Sequence, residues 1–341
     1  MIAGSVAALA LAGLAASTSS EPPAAQRVST IRDDRIGEQS DLVASPTHRD
    51  LLWLTNDSGD SARVFGVSPR TGRTRAVLTL RTDARDVESL AGGTTSDGRS
   101  VLWVGDTGDN SAVRESVVLR LVDEPGSVRS QSTDVVSLRV RYPGGPADVE
   151  AMVWTTDHRL LLITKELLGG RVLEVPSSAV DRALAGRSVT RPALAKQVAR
   201  VSQSFVTDAS ALPDGRVLVR DYVGVVAYDP PAKGRMRSLA SVDLPEQQQG
   251  ESIAATLDGR YAYAGSEGQV QPLWRVRLPR LPAPERSETP ATTRVGQAQR
   301  VVRDAVRERP LDWSVVGAVT LLGTVLIAVV AGARRRGRRR R

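Results

Sequence analysis

Acidic residues recur in this sequence immediately before short apolar segments, at intervals of about 40–60 residues. The clearest pair is DVES at 86–89 and DVEA at 148–151. Because each lies at the start of a repeated unit, the acidic groups of different units are expected to meet in one place. They are Glu38, Asp86, Glu88, Asp148, Glu150 and Glu251, and Ser210 takes the corresponding place in the fourth unit.

Converging carboxylates repel one another unless a cation neutralises them or some remain protonated. Hard oxygen ligands suit Ca²⁺ or Mg²⁺, whereas zinc sites use His and Cys. The chain has no Cys and only two His. The favoured interpretation is that these carboxylates cap strand ends and accept hydrogen bonds from loop amides, without any metal. The alternative is a calcium site with Glu88, Glu150 and Glu251 as ligands.

A second group of polar residues follows the second apolar segment of the units. It reads NDSGD at 56–60 and DTGDN at 106–110, whereas the third unit has a lysine and a glutamate there. Such residues form tight turns without any ligand, so a structural role is the favoured interpretation. Their restriction to some of the units points to a binding site, which is the alternative. The candidates are Asp57, Asp60, Asp106, Asp109, Asn110, Lys165 and Glu166.

Lys165 is one of only three lysines in the chain. It is expected to balance the neighbouring carboxylates, and the alternative is that it binds a phosphate, a carboxylate or a leaving oxyanion. His48 and His158 fall in turns at the other end of the units. Ser-His-Asp and Cys-His hydrolase mechanisms therefore lack a base near the acidic residues. Hydrolysis would need a metal-bound water and a carboxylate base.

Five repeated units must position these side chains. Each contains an apolar segment, a turn, a second apolar segment and further apolar segments after the polar group. Asp-Gly between apolar segments, as at 97–98, 214–215 and 258–259, is a strong hairpin signal. Four strands per unit at this spacing predict the blades of a β-propeller.

The predicted fold class is all-β, a single five-bladed propeller over residues 26–279, with one C-terminal transmembrane helix. The fifth unit lacks an outer strand, and residues 27–36 are predicted to supply it. Such closure removes an exposed sheet edge. A six-bladed ring, with a blade hidden between residues 110 and 150, is the alternative.

Over about residues 35–279 the sequence resembles a family of secreted, membrane-anchored bacterial β-propellers of the actinobacterial type, which is largely uncharacterised. The resemblance lies in WLTNDSGDSARVFGVSPRTG at 53–72, LWVGDTGDN at 102–110 and GESIAATLDGRYAYAGSEG at 250–268. The pattern is more distantly similar to the calcium-binding propellers of the gluconolactonase, regucalcin and phytase-like groups. The resemblance implies the fold and leaves the ligand open.

Both ends of the chain have the composition of membrane-associated segments. Residues 1–20 predict a signal peptide, for which an uncleaved anchor is the alternative. Residues 280–311 predict a stalk, and the uncharged apolar stretch within 312–333 predicts a membrane span. The basic residues of 334–341 predict a cytoplasmic tail. The expected location is the cell membrane, with a single span and the N-terminal domain outside.

The net charge of +8 does not indicate a nucleic-acid-binding protein. Seven arginines lie among the last eight residues, and residues 1–279 sum to a charge of −1. A nearly neutral body lacks the basic surface that binds phosphates. Two functional hypotheses remain. The favoured one is a binding module for an unknown extracellular ligand or protein, and the alternative is a Ca²⁺-dependent hydrolase of lactones, esters or phosphates.

Overall fold

The described strands of this chain form five sheets arranged as a ring, each built on four antiparallel strands. A computed structural model describes residues 24–57, 59–231 and 234–282. The innermost strand of each sheet contacts the innermost strands of its two neighbours, all the way around the ring. The structure is therefore a five-bladed β-propeller, which confirms the predicted all-β ring of five blades, and the six-bladed alternative is wrong.

Blades 1 and 2 follow the first strand of the chain and are described from the innermost strand outward. Strand β1 (Ala25–Thr30) belongs to blade 5. Blade 1 consists of β2 (Gln39–Ala44), β3 (Leu52–Asn56), β4 (Arg63–Val67) and β5 (Thr74–Leu80). Blade 2 consists of β6 (Ser89–Thr94), β7 (Ser100–Asp106), β8 (Val117–Asp123) and, after the short β9 (Gln131–Thr133), β10 (Val136–Arg141).

Blades 3 to 5 repeat this plan. Blade 3 has β11 (Val149–Trp154), β12 (Leu160–Thr164), β13 (Arg171–Glu174) and, after α1 (Ser177–Leu184) and β14 (Val189–Leu194), β15 (Lys196–Arg200). Blade 4 has β16 (Asp208–Ala211), β17 (Val217–Arg220), β18 (Gly224–Tyr228) and, after β19 (Gly234–Arg235), β20 (Ser238–Asp243). Blade 5 has β21 (Ile253–Ala255), β22 (Tyr261–Ala264), β23 (Pro272–Arg277) and β1.

The two ends of the described chain close the ring within blade 5. Strand β1 pairs antiparallel with β23, with Ala25 opposite Val276. The closing strand is therefore shorter than the predicted segment at 27–36. The residues after it belong to the core, where Ile31 and Ile36 are buried. Closure by the N-terminal strand is confirmed. Because β1 covers the outer side of β23, that strand is not an exposed sheet edge.

Three blades carry an extra strand that the sequence did not predict. Strands β9, β14 and β19 pair parallel with the outer strands β5, β10 and β15 of the preceding blades. Each comes from the connection between the third and fourth strands of the next blade. Neighbouring blades are thus joined at the rim as well as at the centre.

Large side chains pack between the blades where glycine leaves room for them. Trp53 is fully buried, and a Cβ at Gly66 would lie 2.9 Å from its ring. Likewise, a Cβ at Gly93 would lie 2.6 Å from the Trp154 ring. Because interiors are close-packed, these glycines fix the depth at which each indole ring sits.

Several sequence predictions fall outside the described residues. They are the signal peptide at 1–20, nearly all of the stalk, the membrane span at 312–333 and the basic tail. Within the described ranges, the structure contains no helix long and apolar enough to cross a membrane.

Candidate functional site

The two faces of the ring carry different loops. The turns between first and second strands form one face, here called the hairpin face. The loops that precede each first strand and follow each second strand form the opposite face, here called the axial face. His158 lies in a hairpin turn with a φ of 62° and packs on Trp154. The imidazole of His48 forms a hydrogen bond with the carbonyl oxygen of Pro125. Both histidines therefore lie on the hairpin face, away from the candidate acidic residues of the axial face.

Asp57 is the centre of the acidic residues on the axial face. Carboxylate oxygens of Glu38, Asp57 and Glu267 lie within 4.8 Å of one another, and so do those of Asp57, Asp86 and Glu88. These two triads come from blades 5, 1 and 2 and share Asp57. We call the five residues the carboxylate cluster.

Burial keeps the carboxylate cluster partly protonated. Burial, together with the nearby charges of Asp57 and Glu150, raises the pKa of Glu88 to about 11. Burial and a hydrogen bond with Asp57 raise the pKa of Asp86 to about 7. Burial and the charge of Glu251 raise the pKa of Glu267 to about 7. Hydrogen bonds between carboxyl groups need a proton, so the cluster holds protons or cations at neutral pH.

A second polar group lies on the same face, on blades 3 to 5. The Lys165 ammonium is 2.6 Å from Glu150 Oε1 and 5.2 Å from the centre of the Tyr222 ring. Burial raises the pKa of Glu150 to about 8, although Lys165 opposes the shift. Burial also raises the pKa of Glu251, although the positive charges of Lys165 and Arg220 oppose this shift. Glu150 and Glu88 repel each other across the face, which links this group to the carboxylate cluster.

Asp106, Asp109 and Asp148 hold the loops beside the carboxylate cluster. Asp106 forms ion pairs with Arg114 at 2.8 Å and Arg120 at 3.0 Å. Burial raises the pKa of Asp106, but Arg114, Arg120 and the Arg85 amide together outweigh burial and hold the pKa below its usual value. The Asp109 carboxylate accepts two loop amides, and Asp148 accepts the amide of Asp109 at 2.9 Å. These contacts match the structural role that the sequence favours for the three residues.

The remaining candidates make local contacts. Asp60 binds Arg63 and accepts a hydrogen bond from Asn56. Glu166 binds Arg171 at 2.6 Å and Arg200 at 3.2 Å. Asn110 is exposed at the edge of its loop. Of the predicted metal ligands, only Glu88 is in a triad of the described residues, and its partners are Asp57 and Asp86 instead of Glu150 and Glu251.

Gly108 explains one feature of the DTGDN motif. A Cβ at this position would lie 2.5 Å from the Asp86 carboxylate and 2.7 Å from Glu88 Cγ. Glycine therefore leaves the space in which two acidic side chains approach the loop. The motif serves the carboxylate cluster through its glycine and through the arginine contacts of its aspartates.

Sequence reasoning missed Glu267 and misplaced the fourth unit. Glu267 follows the second strand of blade 5, where the sequence reads SEG, and this acidic position after a strand was the available signal. The amides of Glu88 and Thr207 bond to the same place on the second strands of their blades. Thr207, and not Ser210, is therefore the counterpart of Glu88. The Ser210 hydroxyl instead accepts the Ala255 amide and joins blades 4 and 5.

No protein-family description matches this sequence, and no curated protein matches it. The chain is similar to selenomethionine-substituted virginiamycin B lyase from Staphylococcus aureus, with 10% identity, a TM-score of 0.35 and coverage of 71% of this chain and 66% of that chain. It is also similar to Kuenenia stuttgartiensis hydrazine synthase, with 15% identity, a TM-score of 0.38 and coverage of 69% and 57%. The chain thus spans less than two thirds of each of those chains. The assignment of the fold rests on the strand order and ring closure described above.

Proposed function

We propose that this protein is an extracellular binding module whose axial face takes a divalent cation, with Ca²⁺ as the favoured ion. The observation that carries the proposal is the position of Asp57, which belongs to both triads of the carboxylate cluster. The cation would complete the surface to which an extracellular ligand or protein binds. The resemblance to secreted bacterial propellers leaves the ligand open, and this proposal names a cation as part of the binding surface.

The donor set fits calcium. Every side chain of the carboxylate cluster offers hard oxygen atoms, and Ca²⁺ takes six to eight oxygen ligands in flexible geometry. The described residues place no His beside the cluster, and the chain has no Cys, so a zinc site is disfavoured. The raised pKa values of Asp86 and Glu88 mean that protons reduce the charge of the cluster, and a bound cation would take over that role.

Thermal unfolding of the purified full chain in calcium tests this function. A ligand that binds only the folded state stabilises it by about 2.7 kcal/mol at a concentration one hundred times its Kd. We expect the Tm to rise as CaCl₂ increases from micromolar to millimolar. Asp57→Asn should abolish this rise because it removes the ligand that the two triads share. The quantity compared is the rise in Tm between calcium-free and calcium-containing buffer. The Tm without calcium is not compared, because removing a negative charge from the cluster changes it by itself.

Asp97→Asn is the matched control, because it makes the same charge change in an exposed turn on the hairpin face. This variant should keep the full calcium shift. Asp86→Asn and Glu267→Gln distinguish the two triads, since each removes a ligand from only one of them. An unchanged Tm in millimolar calcium, or a full shift in Asp57→Asn, would contradict the proposal.

We propose that the predicted span at 312–333 holds the ring outside the cell membrane. The described chain leaves the ring on the hairpin face, where the Leu278 amide bonds to the carbonyl oxygen of Arg260. Protease added to intact cells should cut the chain near Arg294–Arg309 and release a folded ring. Protection of these residues in intact cells, with cleavage after lysis, would refute the outward orientation.

Glu150 favours a second candidate function, a Ca²⁺-dependent hydrolase. A pKa of about 8 is close to the pH at which a carboxyl group both gives and takes protons. Lys165, at 2.6 Å, would stabilise a developing negative charge. The test is calcium-dependent hydrolysis of p-nitrophenyl phosphate and p-nitrophenyl acetate, with loss in Glu150→Gln. No turnover above the Glu150→Gln background would leave the binding module as the function.

A further inference from the structure

A cavity of about 440 Å³ lies between blades 4 and 5 at the hairpin face. Its walls come from the second, third and outer strands of blade 4, and from the hairpin turn of blade 5 and the residues that follow β23. The apolar side chains of the lining include Leu212, Leu218, Val225, Val242, Leu278 and Leu281. Pockets that hold small organic ligands have volumes of about 300–1,000 Å³, so this cavity is large enough for one.

Small side chains in blade 4 create the cavity. In blade 2, one row of side chains crosses the second, third and outer strands towards blade 3, and it consists of Trp103, Leu121 and Val136. The corresponding row of blade 4 consists of Leu218, Ala227 and Ala240. Each of these three side chains is smaller than its counterpart. Space that blade 2 fills with its own side chains is therefore left open between blades 4 and 5.

The correspondence of the two rows follows from backbone hydrogen bonds. The carbonyl oxygens of Gly105 and Arg220 accept the amides that begin the first strands of blades 2 and 4. Trp103 and Leu218 each stand two residues before that carbonyl group. The two side chains thus point to the same face of their sheets, because side chains alternate along a strand.

The mouth of the cavity is positively charged. Arg260, Arg277 and Arg280 are exposed residues of the lining, and none of them forms an ion pair with a described residue. The two acidic residues of the lining have partners of their own. Asp214 pairs with Arg216 at 3.2 Å, and Asp258 accepts the Thr256 hydroxyl at 2.6 Å. The lining therefore has more guanidinium groups than carboxylates, an arrangement that attracts anions.

Arg216 adds a buried cation to the wall of the cavity. Its side chain is only 3% exposed, and its Nε is a buried donor that has no acceptor among the described residues. Buried donors in proteins nearly always have an acceptor. The wall therefore combines apolar surface with a charged group whose hydrogen-bonding capacity the described residues do not fully use.

We propose that this cavity binds a small apolar molecule with one anionic head group, a carboxylate or a phosphate. The apolar body fills the space beside Leu218, Ala227 and Ala240, and the head group lies at the exposed arginines of the mouth. Guanidinium groups form paired, charge-assisted hydrogen bonds with both head groups, so the two share one recognition chemistry. The site lies on the face opposite the carboxylate cluster and does not depend on the cation proposed there.

Isothermal titration calorimetry of the full chain with three naphthalene compounds tests the site. 2-Naphthoate and 2-naphthyl phosphate are the anionic probes, and naphthalene-2-carboxamide has the shape of the naphthoate without its charge. We expect at least one anion to bind with a Kd in or below the millimolar range, and the carboxamide to bind about tenfold or more weakly, because it lacks the charge-assisted hydrogen bonds. The tighter anion identifies the preferred head group. Equal binding of the carboxamide, or no binding of either anion at millimolar concentration, would overturn the proposal.

Ala240→Trp shows whether the probe lies in the cavity. Ala240 is a half-buried residue of β20, so an indole at this position enters the cavity without displacing the core. Ser241→Trp is the matched control, because Ser241 is the next residue of the strand and its side chain points to the other face of the sheet. We expect Ala240→Trp to abolish anion binding and Ser241→Trp to leave it unchanged. Unchanged binding in an Ala240→Trp variant that still unfolds cooperatively would overturn the proposal.

Arg260→Gln combined with Arg280→Gln tests the head-group contact without altering the core, because both side chains are exposed. Arg49→Gln combined with Arg187→Gln is the control, since it removes two exposed arginines that do not line the cavity. We expect the affinity for the anions to fall about tenfold or more in the first double variant alone. Binding of the carboxamide should be the same in both. Equal affinity of the two double variants for the anions would overturn the assignment of the head group to the mouth.

Discussion

The carboxyl groups of Asp41 and Asp208 share a hydrogen bond between the innermost strands of blades 1 and 4. Both side chains are fully buried. Each carboxylate also accepts an amide from the first strand of the next blade, Leu90 at 2.6 Å and Ile253 at 2.5 Å. The pair therefore connects four of the five blades at the centre of the ring.

Stability should fall as the pH rises because of this pair. Burial, followed by the charge of Asp208, raises the pKa of Asp41 well above its ordinary value, and burial likewise raises the pKa of Asp208. The folded state then binds protons more tightly than the unfolded state. The stabilising contribution is complete below the pKa of an unfolded Asp, about 3.9, and is lost as the pH rises through the folded pKa.

Asp41→Asn tests this assignment. Asparagine keeps the shape and is neutral at every pH, so it removes a slope of up to about 1.4 kcal/mol per pH unit for one proton. Measured in urea, the free energy of unfolding of the variant should be larger relative to that of the wild type at pH 8 than at pH 5. Asp97→Asn controls for net charge. An equal difference from the wild type at both pH values would contradict the shared proton.

The sequence was sufficient to predict the ring because each blade repeats local signals. Turn residues between short apolar segments mark the strands of each unit, and the missing outer strand of the fifth unit pointed to the N-terminal segment. Asp41 and Asp208 carry no such signal. Their meeting depends on which way each innermost strand faces, and a shift of one residue reverses that direction.

The site was harder to predict for the same reason. Glu88 and Glu150 were aligned correctly, but alignment does not say which neighbour each carboxylate approaches. Glu88 approaches Asp57 of the preceding blade, whereas Glu150 binds Lys165 of its own blade. Extra strands such as β9 were missed because three residues without apolar alternation give no strand signal.

Gly72 is predicted to be essential for closing the ring. It has a φ of 68°, and a Cβ at this position would lie 1.9 Å from the carbonyl oxygen of Thr30 at the end of β1. Gly98 has a φ of 84° but nothing within 4 Å of such a Cβ. Gly98→Ala should therefore cost only the backbone strain of about 1–2 kcal/mol.

Gly72→Ala should cost about 1–3 kcal/mol more than Gly98→Ala, because the Thr30 carbonyl must also move. Urea unfolding of the two variants gives the difference. Hydrogen exchange should show faster exchange of the β1 amides in Gly72→Ala alone. Equal losses of stability in the two variants would mean that the contact between Thr30 and Gly72 does not hold the closing strand.

Lys165 and Glu150 should be coupled more strongly in alkaline than in acidic solution. The Glu150 carboxyl has a pKa of about 8, raised by burial, so the pair is ionised only above that pH. The stability that the protein gains from protonated Glu150 is fully present below about pH 4.5 and is lost as the pH rises through about 8. Above this pH the ammonium of Lys165 offsets the cost of the buried carboxylate.

A double-mutant cycle of Lys165→Met and Glu150→Gln measures this coupling through the free energy of unfolding, with a chelator present to remove divalent cations. We expect a coupling within about 0.5–3 kcal/mol at pH 9 and a smaller one at pH 6, where Glu150 is protonated. Lys165→Met alone should lose more stability at pH 9, because Glu150 and the nearby Glu251 then lack a cation. A coupling of the same size at both pH values would contradict the raised pKa of Glu150, because the pair would then have the same protonation state at pH 6 and pH 9.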